Sequence, residues 1–216
     1  MVPFGFIEKR GNKGSPMKIA VNEPIILASS SPRRETLLRS IGISARIIPS
    51  DAEESYDPSH SPSNIVCALA MRKAHSVAQM QMAVHGAGII IGADTIVVLA
   101  GQVLGKPKSR AHAIEMLSLL QGKKHEVYTG VAIVDARTGI TRSDYSKTIV
   151  RMKPCSQDKV ERYVDTGEPM DKAGAYAIQG LGAMLIDGIE GCYFNVVGLP
   201  LSLLSDMLEE FGIQTI

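Results

Sequence analysis

The sequence is poor in the features that most directly announce a function. Its 216 residues carry a formal net charge of +1, so the charge balance selects neither nucleic acid nor an anionic membrane as a partner. No stripe of basic residues interleaved with aromatics argues otherwise. The cysteines number three, Cys67, Cys155 and Cys192. They are far apart and form no CxxC pair, which supports neither a zinc site nor a disulfide framework and points to a reducing, cytoplasmic setting. No apolar run approaches the roughly 20 residues of a membrane span. Internal repeats, low-complexity tracts, GxGxxG and the Walker pattern are all missing. His60, His75, His85, His112 and His125 are scattered without metal-ligand spacing, and no Ser-His-Asp arrangement stands out.

What the chain does have is core material. Hydrophobic residues make up 45% of it, enough for one sizeable domain or two small lobes. Residues 1–23 hold scattered Gly, Pro and basic residues without the apolar segment of a signal peptide. They read as a loose N-terminal extension, with Met17 as an alternative start and organelle targeting as a minor alternative. From residue 24 onward strand and helix patterns alternate, which predicts an α/β fold. Strands are expected at Ile25–Leu27 and Ala45–Pro49. Two more are expected on either side of Gly92-Ala93-Asp94, and a hairpin of Glu126–Asp135 with Ile140–Met152. A further strand is expected at Ala183–Ile186. Helices are expected from Pro32, from Pro62 to about Val84, from Ser109 to near Gly122, over Ser156–Thr166 and over Pro200–Phe211. A hairpin together with crossovers predicts a mixed sheet.

Several residues sit oddly in this pattern. Pro32 suits the first position of a helix, Ser31 its N-cap, and Gly42 its end. Arg33 and Arg34 then occupy the first turn, at the positive end of the helix dipole. Two cations there make sense beside an anion. Lys73 falls within the apolar stripe Val66, Leu69, Ala70, Val77 and Met80, so it either snorkels to water or reaches an anion. Asp94 interrupts a β-run of isoleucine and valine, where an ionised carboxylate is costly unless paired or metal-bound; a turn or capping role is the alternative. Gly92 just before it suggests a bulge or a close backbone approach. Lys106 is a loop lysine, and Glu54 lies in an acidic loop that is either solvated or part of a site. The glycines of DKAGAYAIQGLG, Asp171 to Gly182, allow a ligand near the backbone. Arg33, Arg34, Lys73 and Lys106, with Ser29 and Ser31 as donors, and Asp94 with Glu54 as carboxylates, suggest a polyphosphate bridged by a divalent metal.

LASSSPRRETLL, GADTIVV, GKP and YVDTGEPMDKAGAYAIQGLG, in this order and spacing, resemble the Maf family, also called septum-formation-inhibitor proteins. The resemblance covers residues 24–216 as one domain. It implies an elongated mixed β-sheet flanked by helices, with two lobes and a central cleft, related in structure to the inosine triphosphate pyrophosphatases. It further implies a nucleoside triphosphate pyrophosphatase, a divalent cation (Mg²⁺ or Mn²⁺) and a homodimer. Carried onto this chain, Asp94 is the proton acceptor. Ser29, Ser31, Arg33, Arg34, Lys73 and Lys106 line the phosphate site, and Glu54, adjacent to Glu53, joins Asp94 at the metal. Arg33, Thr95 and Gln179 match the subgroup acting on dTTP and UTP rather than the relative acting on 7-methyl-GTP. A glutamine amide also suits the donor–acceptor edge of uracil. The competing readings are a non-catalytic, nucleotide-binding regulator of cell division and a pyrophosphatase for another base.

Overall fold

A computed structural model of the chain describes residues 23–84 and 86–215. The expected N-terminal extension therefore lies outside the described residues except for Glu23, whose carboxylate accepts a hydrogen bond from Arg137 Nε at 2.9 Å; His85 also lies outside them.

The elements follow in the order β1 (Ile25–Leu27), α1 (Pro32–Ser40), β2 (Ala45–Ile47), α2 (Pro62–Ala83), β3 (Ile89–Leu99) and β4 (Gln102–Leu104). After these come α3 (Arg110–Leu120), β5 (Lys124–Asp135), β6 (Thr141–Met152), α4 (Gln157–Asp165), β7 (Ile186–Glu190), α5 (Tyr193–Val197) and α6 (Leu201–Glu209). Three short 3₁₀ turns, Glu168–Asp171, Ala173–Ala175 and Gly180–Leu185, fill the glycine-rich stretch before β7. Local chemistry sets many of the boundaries. Ser61, Ser109 and Ser156 cap α2, α3 and α4 by accepting from the backbone N–H three residues on. Ser31 holds the N-cap position of α1, but its side chain makes no capping bond.

Seven strands form one mixed sheet in the order β2-β1-β3-β5-β6-β7, with β4 added to β3. β1 runs parallel to β2 and β3, and the remaining pairs are antiparallel. One edge of β3 is paired with β5 from Ile89 to Val98 without a break. The other edge is shared: β1 covers Ile89–Ile91 and β4 covers Val97–Leu99. Between them residues 92–96 of β3 border a notch in the sheet.

α2 packs on one face of the sheet through Ala70, Ala74, Val77 and Ala78 against Ile90, Ala132 and Val134. Farther along β3, Ile65, Val66 and Leu69 meet Ile96 and Val98. The opposite face carries two clusters, one joining α1 and α6 to Ile89, Ile91 and Ala93. The other joins α3 and α4 to Val97 and Val127. Thr95 stands between these two clusters, so the face divides into two packed halves.

Three sequence expectations need correction. β3 is a single strand through Gly92-Ala93-Asp94 rather than two runs, and its register with β5 shows no bulge. Gly92 instead serves a close approach, since a Cβ there would lie 2.3 Å from Ala70 O and 2.8 Å from Ala74 N. The strand expected at Ala183–Ile186 begins only at Ile186. Upstream, Gly180–Leu185 forms a 3₁₀ turn instead, its start held by the Glu168 carboxylate through the N–H groups of Leu181 and Gly182. Met80 is 40% exposed rather than part of the buried stripe. The buried side of α2 moves from Ile65, Val66 and Leu69 to Ala74, Val77 and Ala78 along its length.

Gly130 on β5 repeats the device of Gly92, since a Cβ there would lie 2.3 Å from Val66 O. Gly92→Ala should therefore push α2 off the sheet and cost about 3 kcal/mol of stability. Urea midpoints of the two proteins measure this; an unchanged midpoint would contradict the packing.

Candidate active site

The notch in β3 opens into a cleft of about 420 Å³, a volume typical of small-molecule sites. Ser29, Ser31, Arg33, Arg34, Glu54, Lys73, Asp94, Thr95, Lys106 and Gln179 all line it. Residues picked out from six separate segments thus share one surface. The lining holds five basic side chains against three acidic ones, because Asp171 and Lys172 also contribute. The surplus is positive, as an anionic ligand requires.

β1 delivers the chain to the notch, where Ala28 N donates to Ile91 O at 2.8 Å. The loop then enters α1, and the two arginines part. Arg34 turns inward and is 9% exposed. Its Nε donates to Gly198 O at 2.8 Å, one terminal nitrogen to Ser29 Oγ at 3.0 Å, and the other to Thr95 Oγ1 at 3.1 Å. Burial pulls this guanidinium below its ordinary pKa, with the charge of Asp94 opposing the shift. Arg33 turns outward, and its NH1 donates to Asp171 Oδ2 at 3.3 Å. One arginine therefore ties the phosphate-loop candidate Ser29 to β3 and the Gly198 turn. The other reaches across to the glycine-rich stretch.

On the α2 side of β3, Lys73 Nζ donates to Asp94 Oδ1 at 2.5 Å and to Glu54 Oε1 at 2.7 Å. The side chains of Lys73 and Asp94 are only 13% and 12% exposed. Neither snorkeling nor a turn role describes them. The ammonium hydrogen bond from Lys73 holds the Glu54 carboxyl below its usual range, against the opposing effect of burial. Lys106 Nζ adds a looser contact to Glu54 Oε2 at 3.9 Å. Among the described residues no group of three or more His, Cys, Asp or Glu side chains is placed to hold a metal. The neighbouring carboxylates of Glu54 and Asp94 are nevertheless oxygen donors of the kind a hard divalent cation takes.

Thr95 contributes through its hydroxyl rather than as an isolated contact. It receives Arg34 and bonds Thr129 Oγ1 at 2.9 Å, and Thr129 donates to Asn195 O at 2.9 Å. Gln179 lines the cleft on an exposed turn. Sequence reasoning missed Asp171, Lys172 and Tyr176 in the lining. All three lie in a stretch singled out for its glycines and its family motif, where no role was given to them, and polar loop residues carry no periodic signal.

The family model described as Maf-like protein matches residues 24–211. A protein of Desulforamulus reducens named dTTP/UTP pyrophosphatase is 51% identical over 193 residues, covering 89% of this chain and 99% of its own. Proteins of the same name from Pelotomaculum thermopropionicum and Acetivibrio thermocellus are 50% and 46% identical, covering 87% and 89% of this chain and 96% and 97% of theirs. A solved nucleoside-triphosphatase (dITP/XTP pyrophosphatase) from Mycobacterium abscessus aligns over 87% of this chain and 97% of its own. It does so at 14% identity with a TM-score of 0.37, too loose a likeness to bear on the fold.

Beneath the cleft lies a buried pair. His125 of β5, 2% exposed, places Nε2 2.7 Å from the hydroxyl of Tyr176. Its Nδ1 has no partner among the described residues. Burial lowers the imidazole from its ordinary 6.5 to about 4. The unfolded chain therefore binds a proton that the folded chain refuses, and stability falls as pH drops through this window. Between pH 7 and pH 5 the native protein should lose about 2 kcal/mol that the His125→Gln variant does not lose. Paired denaturant titrations at the two pH values check it; identical pH dependence in both proteins would contradict it.

Proposed function

This chain belongs to the Maf-like protein family, and from that premise we propose that it is a nucleoside triphosphate pyrophosphatase acting on dTTP and UTP. The names of its relatives support the substrates. The observation that carries the reading to this chain is local: Lys73 bridges Glu54 and Asp94 in a positively biased cleft of about 420 Å³.

In this reading the triphosphate lies across the notch of β3. Arg33, Lys73 and Lys106 face its phosphates, with Ser29 and Ser31 as hydroxyl donors from the loop before α1. Arg34, already committed to three protein oxygens, fixes that loop and lends it positive charge. Glu54 and Asp94 would hold the divalent cation, which when bound neutralises phosphate charge as a Lewis acid. Asp94 accepts a proton from the attacking water. The water oxygen bonds to the α-phosphorus, the bond from that phosphorus to the bridging oxygen breaks, and pyrophosphate departs with the electron pair. Arg33, Lys73 and Lys106 stabilise the negative charge that grows on the leaving group. The products are dTMP or UMP and pyrophosphate.

In this reading Gln179, which lines the cleft, meets the base, where its amide can pair with both the N3–H and O4 of uracil or thymine. Residues 24–216 form the catalytic unit in this proposal, and a homodimer is its assembly. Among the described residues no helix is long and apolar enough to cross a membrane.

Asp94→Asn keeps the shape and an oxygen acceptor for Lys73 but cannot take the proton. Pyrophosphate release from UTP with Mg²⁺ should fall about 100-fold or more, while thermal unfolding stays cooperative. Turnover within a factor of two of the native protein would remove Asp94 from the proton-accepting role.

A further inference from the structure

Between α4 and β7 the chain makes a loop whose form no periodic pattern explains. Two side chains that precede its Ala177–Gly182 turn hold that turn. Tyr163, buried in the α3–α4 cluster, accepts a hydrogen bond from Ala177 N at 3.2 Å and donates its own proton to Glu168 Oε1 at 3.0 Å. The same carboxylate accepts from Gly182 N at 2.9 Å through Oε1 and from Leu181 N at 2.9 Å through Oε2. Ala177 and Gly182, the two ends of the loop, are thus joined through one phenol and one carboxylate. Gln179 lies between them, at the cleft.

We propose that Glu168, with Tyr163, is a positioning residue that sets the base selectivity of the cleft by fixing the turn that carries Gln179; this rests on the pyrimidine pyrophosphatase reading above. Three donors converge on Glu168: two backbone N–H groups and one O–H. Only an acceptor without protons of its own satisfies all three, which a carboxylate does and a carboxamide does not.

The fit around the clamp is also tight. A Cβ at Gly180, where φ is +65°, would stand 2.6 Å from Glu168 Oε2. One at Gly182 would stand 2.6 Å from the Tyr163 hydroxyl and 2.4 Å from Ala177 O. Glycine at these positions lets the backbone close onto the two side chains. The three hydrogen bonds hold Glu168 below its usual carboxylate range despite burial, and burial raises the Tyr163 phenol. The clamp keeps its charge state through neutral pH. Base selection by hydrogen bonds depends on fixed placement of donor and acceptor, because a displaced amide pairs equally badly with every base edge.

The test compares kcat and KM for UTP, dTTP, CTP and GTP in the native protein, Glu168→Gln, Gln179→Ala and the double variant. Glu168→Gln should lower the UTP-over-CTP ratio of kcat/KM at least tenfold, mainly through KM for UTP, with kcat within about threefold of native. Gln179→Ala should lower the ratio similarly, and the double variant should lie within twofold of the single ones, as residues acting through one contact do. A native ratio in Glu168→Gln, or losses that multiply in the double variant, would overturn the proposal. If Glu168→Gln shows no cooperative melting transition, Tyr163→Phe takes its place, because it keeps the ring and removes only the bridging hydroxyl. It should lower the ratio at least threefold, and an unchanged ratio overturns the proposal. Should the native protein hydrolyse neither UTP nor dTTP, the functional reading fails on its own. Hydrogen exchange at the Leu181 and Gly182 amides then decides the clamp: protection in the native protein that is lost in Glu168→Gln upholds it, and fast exchange in both sinks it.

Discussion

The site depends on how closely α2 lies against the sheet. Gly92 and Gly130 leave no side chain between the strands and the helix backbone, and Ala70 and Ala74 present the smallest helical surface to them. Asp94 is two residues beyond Gly92 on the same face of β3, and Lys73 is one residue before Ala74. Close docking at the glycines is what brings an ammonium within 2.5 Å of a nearly buried carboxylate. A methyl group in either gap would separate the pair before it altered any residue of the pair itself. Close packing ordinarily serves stability; here it also sets the distance between two charges.

Burying such a pair is costly unless both charges are well satisfied. Lys73 meets that demand by donating to Glu54 as well as Asp94, so the cleft keeps a compact cation–carboxylate group. On the opposite face of β3 a different polar chain runs from Ser29 through Arg34, Thr95 and Thr129 to Asn195. Asn195 continues it to Thr148 at 2.9 Å and to Val127 O at 3.0 Å. Neighbouring residues of one strand, Asp94 and Thr95, therefore serve two functions on two faces. Asp94 joins the charged group, and Thr95 holds the arginine that shapes the loop before α1. The notch between β1 and β4 is what lets both faces reach the same cleft.

Much of this was legible because it was locally abnormal. A carboxylate inside an isoleucine–valine run, a lysine in an apolar helical stripe and two arginines in a first helical turn each contradict a simple rule. All four residues line the cleft. The capped starts of α2, α3 and α4 were equally readable, since a serine before a helical pattern acts through neighbours in sequence. The path of β3 was not. Gly92 left a bulge and a close backbone approach both open, and only α2 in place decides for the approach. The two arginines were alike in sequence and opposite in space, because the partners that separate them, Asp171 and Gly198, are far away along the chain. Glu168, Tyr163 and Lys172 stood within a motif of the family resemblance, yet no individual role for them was legible, for a related reason. Polar residues in an irregular segment are ordinary, and their meaning comes from backbone N–H groups that no pattern marks.

In the proposed reaction this cleft directs water to the α-phosphorus of a nucleoside triphosphate. Hydrolysis of UTP in ¹⁸O-labelled water, followed by mass spectrometry of both products, tests it most directly. The label is expected in UMP, with unlabelled pyrophosphate. Label in pyrophosphate, or release of inorganic phosphate with UDP, would contradict the account.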